Sequence, residues 1–371
     1  MTMKKYKLGE YIERSTANNH SLKYKEDLIV GVTSEGVFSL PKGNVQGVDL
    51  KPYKIVNNGD FVYNPSRFDL GSIAYRTEGL CIVSHLYQIF HLNEKGKEMI
   101  DPIWLFIYLR RNEFRREVTF RNFGSQRPEF NFNDLSDIEL PLPSIEQQRK
   151  YVDVYLALQN NLAAYQSKAE ELKLVCDGYI EELRRRASNK SIPMVRIGDY
   201  ISKRVEKNSD GAITLEQGIN IQKQFITPQR SNSDLYSRRI VRKGDFAYCT
   251  QLNNENVAIA YREDEDCVVS SVYDIFYIKD ESVLFPLYLM LWFRRSEFGR
   301  YVYRLSTGTS YEFLSYEDLS DYKIPLPNLA IQREIANVYK CYIERQRIAE
   351  ALKEQLKNIC PVLIRGSLLE N

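Results

Sequence analysis

The sequence predicts an α+β protein: two similar globular domains separated by two long helices that form an antiparallel coiled coil. Three observations carry that expectation. Short motifs recur in the same order, each copy mixes strand-like and helix-like runs, and each copy ends in about forty residues with an apolar rhythm of alternating four- and three-residue steps.

The repeat comes first because it fixes the architecture. Lys7-Leu-Gly-Glu-Tyr-Ile12 reappears as Arg196-Ile-Gly-Asp-Tyr-Ile201, and Ile55-Val-Asn-Asn-Gly-Asp-Phe-Val-Tyr63 as Ile240-Val-Arg-Lys-Gly-Asp-Phe-Ala-Tyr248. Ala74-Tyr-Arg76 matches Ala260-Tyr-Arg262, and Cys81-Ile-Val-Ser84 matches Cys267-Val-Val-Ser270. From Pro102 onward the register is ungapped. Arg110-Arg111 pairs with Arg294-Arg295, Asp134-Leu-Ser-Asp137 with Asp318-Leu-Ser-Asp321, Pro141-Leu-Pro143 with Pro325-Leu-Pro327, and Gln148-Arg149 with Gln332-Arg333. An ordered series of this kind is a duplication. The boundaries it implies are 1–143 and 191–327 for the domains, with helices over 144–190 and 328–371.

Within each copy, β-branched and aromatic runs punctuated by Gly, Asn and Asp, such as 54–63, read as strands joined by turns. Pro102 to Glu117 and Pro286 to Tyr303 read as amphipathic helices opened by a proline in the first turn. A Gly-Ser/Thr loop and one short element follow, then the Pro-Leu-Pro stop. After it, Tyr151, Tyr155, Leu158, Leu162, Tyr165, Ala169, Leu172, Cys176, Tyr179 and Leu183 form one seam. Ile331, Ile335, Val338, Tyr342, Arg345, Ala349, Leu352, Leu356, Ile359 and Leu363 form the other. Arg345 alone breaks its apolar series, and Pro361 is expected to kink or end the second helix. A single seam does not stay exposed, so the two helices, each roughly 60 Å long, are expected to pack on each other.

Composition narrows the function classes. Lys and Arg number 51 against 49 Asp and Glu, so no whole-molecule positive field marks a nucleic-acid binder and any such surface must be local. The six cysteines include no CxxC pair, which argues against zinc knuckles and disulfide scaffolds and fits a reducing cytoplasm. No signal-like segment opens the sequence and no run of about 18 apolar residues occurs, so a soluble cytoplasmic protein is expected.

Catalytic chemistry is thin. The three histidines, His20, His85 and His91, stand without a matched nucleophile or metal-ligand spacing. His85 falls where the second copy has Ser271, and no GxxxxGK[ST] phosphate loop occurs. Asn64-Pro-Ser-Arg67 partly matches the Asn-Pro-Pro-aromatic motif of amino-methyltransferases but lacks the second proline and the stacking aromatic; the second copy has Cys249-Thr-Gln-Leu252 there.

Nucleic-acid chemistry is better represented. Arg110, Arg111, Arg115, Arg116, Arg121 and Arg127 crowd one stretch, and Arg294, Arg295, Arg300 and Arg304 its counterpart. The planar arginine fork donates two parallel hydrogen bonds to phosphate or guanine. Both clusters run into polar Gly-centred loops, Phe123-Gly-Ser-Gln-Arg-Pro128 and Ser306-Thr-Gly-Thr-Ser310. A second loop pair, 63–67 against 248–254, shows the same shared frame with different content, as readers of different half-sites require.

These residues resemble the specificity subunit of type I restriction-modification systems and its type IIB relatives. The likeness rests on Gly59-Asp-Phe61 and Gly244-Asp-Phe246, the Asn64-Pro-Ser-Arg67 loop and the Gly-Ser/Thr loops. It rests above all on the join into each long helix: Ile138-Glu-Leu-Pro-Leu-Pro143 before Glu146-Gln-Gln-Arg149, and Tyr322-Lys-Ile-Pro-Leu-Pro327 before Ile331-Gln-Arg333. The family's acidic residue before Gln-Arg is replaced by Gln147 and Ile331.

The resemblance implies two target-recognition domains, each reading half of a split double-stranded DNA sequence, with the helical pair as a ruler for the unread spacer. It also implies two docked modification subunits, which bind S-adenosylmethionine and methylate adenine, and restriction subunits where cleavage is added. The chain itself is then non-catalytic and needs no cofactor. Within it, phosphate anchoring is assigned to Arg110, Arg111, Arg115, Arg294, Arg295 and Arg300, and base readout to Arg67, Gln126, Arg127, Gln251, Asn253 and Thr309. A helical scaffold that binds protein partners without reading DNA is the alternative.

Overall fold

The structure, a computed structural model, describes residues 4–41, 43–122, 129–228, 234–252, 256–306 and 313–369. The chain divides into two compact units, residues 1–164 with 349–371, and residues 165–348. Each unit holds one copy of the repeat together with one segment of each long helix.

In the first unit, a four-stranded antiparallel sheet runs in the order Ile12–Arg14, Gln88–Leu92, Phe61–Tyr63, Ile73–Tyr75. In the second, the order is Ile201–Arg204, Tyr273–Ile278, Asp245–Cys249, Ile259–Tyr261. The registers correspond residue for residue: Phe61 lies opposite Phe90, and Phe246 opposite Phe276. Their rings stack at 4.8 Å and 5.0 Å, each with an interplanar angle of 5°. Duplication in sequence is therefore duplication in packing.

The repeated motifs have physical reasons. In Gly59-Asp60 and Gly244-Asp245 the glycines adopt φ +91° and +92°, a region costly for residues with a Cβ. The aspartates then accept from the Asn57 and Arg242 amides at 2.7 Å and 2.8 Å, closing the turn into the central strand. Gly9 and Gly198 are fixed by close approach, since a Cβ there would lie 2.9 Å and 2.6 Å from the Cβ of Ser136 and Ser320. That contact joins the first motif of each copy to its Leu-Ser-Asp motif.

Each predicted helix after the sheet is two helices. Pro102–Arg110 and Asn112–Arg121 are separated at Arg111, whose ψ of 150° is non-helical, and Pro286–Phe293 is followed by Ser296–Ser306. The first of each pair is not amphipathic. Seven of the eight residues of Pro286–Phe293 are buried, which makes it a core element rather than a surface one.

The long helices span Ile145–Ser188 and Leu329–Leu369. In the first unit Tyr151 lies against Gly366 and Tyr155 near Cys360, and in the second the Arg345 guanidinium lies 6.0 Å from the centre of the Tyr165 ring and Cys176 lies near Cys341, so the segments run antiparallel within each unit. The odd residue of the second seam is thus accommodated by an aromatic face. Two expectations need correction. Tyr179 is exposed, and its neighbour Ile180 is fully buried in the second domain's core. Helix continues through Pro361, because Leu363 and Ile364 beyond it are buried in the first domain's core and Ser367 accepts a 3.0 Å hydrogen bond from the Trp104 indole. Tertiary packing there outweighs the lost backbone bond.

Each join is held by a glutamine. Gln148 accepts from the Asp101 amide at 2.8 Å and donates to the Met99 and Pro143 carbonyls at 2.9 Å each. Gln332 accepts from the Phe285 amide at 2.8 Å and donates to the Val283 and Pro327 carbonyls at 2.9 Å and 2.8 Å. Both side chains are fully buried. One carboxamide thus satisfies three backbone groups and ties the helix start to the strand before it and the helix beside it.

Candidate nucleic-acid interface

Two loops per domain were expected to read DNA, and their described flanks lie side by side. In the first domain the Phe130 amide donates to the Pro65 carbonyl at 3.1 Å; in the second the Leu314 amide donates to the Thr250 carbonyl at 2.8 Å, and Gln251 bridges Phe313. Segments distant in sequence are therefore held together in each domain at these flanks.

The first of these loops is built to hold one side chain out. The Asn64 carboxamide accepts from the Ser66 amide at 3.0 Å and caps a single turn, Pro65–Arg67. Phe68 turns inward onto Tyr63 and Phe130, at ring distances of 4.6 Å and 5.4 Å. Arg67 is left exposed. The Arg115 guanidinium donates to the Asp69 carbonyl at 2.6 Å, which lays the helix Asn112–Arg121 beside this loop with Arg116 and Arg121 exposed. In the second domain Thr250 is buried, its hydroxyl donating to the Val272 carbonyl at 2.9 Å, while Gln251 is exposed. The frame is shared and the outward side chains differ. Tyr63 and Tyr248, with which this loop pair begins, are equivalent and fully buried; burial holds both phenols well above their usual range.

The arginines expected to anchor phosphate are placed unequally. Arg110 and Arg294 are enclosed and hold hairpin tips, donating to the Ser34 and Lys223 carbonyls at 3.4 Å and 3.2 Å. Burial lowers the basicity of Arg110. Arg111 lies over the Tyr108 ring at 3.6 Å, and Arg295 pairs with Asp177 at 3.0 Å and Glu297 at 3.1 Å. Arg300 is exposed, 3.9 Å from Glu297. Gln126, Arg127, Asn253 and Thr309 lie outside the described residues.

Sequence reasoning passed over Asn19 and Asn208. Both are fully buried, and each grips its own loop: Asn19 donates to the Tyr24 carbonyl and accepts from the Tyr24 amide, and Asn208 does the same with Ile213. The signal was present, because each lies seven residues beyond the isoleucine that ends the first motif. Among the described residues no group of His, Cys, Asp and Glu is arranged to hold a metal, and no helix is long and apolar enough to cross a membrane.

Comparison with known proteins fits this duplicated frame. A family model for the type I restriction modification DNA specificity domain matches twice, over residues 2–174 and 184–358. The chain belongs to that family. Among solved structures, the S subunit of a type I restriction-modification system from M. genitalium has 12% identity and a TM-score of 0.67, covering 100% of this chain and 97% of its own. A structure reported for complex assembly and conformational transition of a type I system has 17% identity and a TM-score of 0.43, covering 99% of both chains. The HsdS subunit from Thermoanaerobacter tengcongensis has 17% identity and a TM-score of 0.40, covering 99% of this chain and 96% of its own. No curated protein matches. The two specificity domains thus coincide with the two halves of the repeat.

Proposed function

We propose that this specificity subunit reads a bipartite, asymmetric double-stranded DNA target, one half-site per domain, and directs adenine-methyltransferase subunits to it. The observation that carries the reading is the backbone bond that sets two loops together in each domain, Phe130 to Pro65 and Leu314 to Thr250, on equivalent frames with unlike exposed residues. Equal frames give equal docking; unlike side chains give unlike half-sites.

Base readout is assigned to Arg67 and Gln251, both exposed, and to Gln126, Arg127, Asn253 and Thr309. Arg300 is the most accessible of the phosphate anchors. Of the other assigned anchors, Arg110, Arg115 and Arg294 also hold the Ser34, Asp69 and Lys223 carbonyls, and Arg111 and Arg295 lie on Tyr108 and Asp177. The long helices dock two modification subunits and set the spacer. Methyl transfer and its S-adenosylmethionine belong to those subunits, cleavage to restriction subunits, and the chain works in the cytoplasm without catalysis of its own.

The test is fluorescence anisotropy of the chain assembled with its modification subunit on labelled duplexes over a salt series. Arg300→Ala should weaken all sequences alike and reduce the salt slope by about 1. Arg127→Ala should relax one position of the target. An assembled complex that does not bind DNA would favour the scaffold reading.

A further inference from the structure

The two domains differ sharply at one buried position. In the second, the Asp245 carboxylate is met by Arg204, whose Nε and Nη2 donate at 2.6 Å and 3.0 Å, and the guanidinium lies 4.8 Å from the centre of the Tyr277 ring. Around it Arg242 pairs with Glu206 and Asp266. The corresponding aspartate of the first domain is Asp60, only 5% exposed. Strand register gives the equivalents: Ser15, whose amide bonds the Ile89 carbonyl, stands where Arg204 pairs with Ile275, and His91 stands where Tyr277 does. Asn57 replaces Arg242, Ala17 replaces Glu206, and Leu80 replaces Asp266.

The first domain has the carboxylate without the cation. One oxygen, Oδ2, accepts from the Asn57 amide at 2.7 Å. The other faces His91 Nδ1 at 3.6 Å, beyond hydrogen-bond reach. In place of the arginine there is an open cavity of about 390 Å³ lined by Ser15, Asn58, Asp60, Tyr75, His91 and Lys97. Lys97 lines the same cavity, but its ammonium lies on the exposed Glu94 carboxylate at 2.6 Å and not on Asp60. A buried carboxylate oxygen that receives no hydrogen bond and faces an open cavity is costly unless a donor pairs with it.

We propose that this cavity is a binding site for a guanidinium group, which enters where Arg204 lies in the second domain and donates to Asp60. The second domain supplies the template: a planar fork on the carboxylate with an aromatic ring beside it, the role His91 takes in the first. The site is separate from the DNA-reading loops and does not depend on their assignment.

Titration of ethylguanidinium into the full-length chain, followed by calorimetry, tests it. The wild-type chain should bind one equivalent saturably. Asp60→Asn, which keeps the acceptor for the Asn57 amide, should bind about tenfold more weakly or worse, as expected for losing a charge-assisted pair. Ser15→Arg should abolish binding by filling the site from within, and Arg204→Ser should open a second site. Equal binding by wild type and Asp60→Asn, or no saturable binding by wild type, overturns the proposal. Assembly with the modification subunit then identifies the source: Ser15→Arg weakens assembly if the guanidinium is a partner's arginine, and leaves it unchanged if it is a small free ligand.

Discussion

Replacing Gln148 by leucine removes one carboxamide and exposes how the first long helix is fastened to its domain. Leucine keeps most of the volume but leaves the Asp101 amide and the Met99 and Pro143 carbonyls without the partner they have at 2.8–2.9 Å. At about 1–3 kcal/mol per buried group, with each carbonyl retaining a second lone pair, the loss should be about 3–5 kcal/mol. That is a large share of a total stability of about 5–15 kcal/mol. Asp101 also caps the helix Pro102–Arg110, accepting from the Ile103 and Trp104 amides, so its displacement should loosen that helix too. The chain has two tryptophans, one in each unit. Urea unfolding followed by Trp104 fluorescence in a Trp292→Phe background isolates the first domain, and its midpoint should fall by about 1–3 M. Hydrogen exchange at the Asp101 amide should quicken in parallel. A loss below about 1 kcal/mol with unchanged Asp101 protection would refute the latch.

Burial, opposed by the hydrogen bond from the Asn57 amide, holds the Asp60 carboxyl above its ordinary range. A raised carboxyl disfavours the folded state at neutral pH and ceases to do so once protonated in both states. Asp60→Asn should therefore stabilise the first domain at neutral pH, with the gain shrinking as pH falls toward about 4; melts with the Trp104 reporter check this, and a pH-independent gain contradicts it. Arg67→Ala should relax one half-site and Gln251→Ala the other, each by about 1–3 kcal/mol at a single position, measured by competition binding against singly substituted duplexes. Insertion of one helical turn between Ala163 and Lys168 should change the spacer and leave both half-sites alone; an unchanged spacer in the methylation pattern refutes the ruler.

The duplication was readable because the repeated motifs carry backbone demands. Gly59 and Gly244 need a left-handed φ, Gly9 and Gly198 need close approach, and Gln148 and Gln332 need three backbone partners, so their identities recur. What those identities do was not readable, since a glutamine in a polar run gives no sign that it is fully buried. The break at Arg111 escaped because the pattern runs on as if through one helix. The four-three rhythm favours Tyr179 over Ile180 because it registers the helix pair and not the domain core: Cys176 and Leu183 on either side are buried as expected, and Ile180 enters the second domain's core. Pro361 reads as a helix end because local propensity carries no sign of the core that Leu363 and Ile364 enter. Among the arginines, sequence shows charge but not enclosure: Arg110 and Arg300 look alike until one is found holding the Ser34 carbonyl and the other exposed.

The central claim is that two unlike readers act as one. Its most direct test is to co-express the chain with its modification subunit in a methylation-free host and map methylated adenines across the genome. The account predicts a single motif of two unequal half-sites separated by a fixed number of unread bases. A contiguous motif, two identical half-sites, or no methylation above background would contradict it.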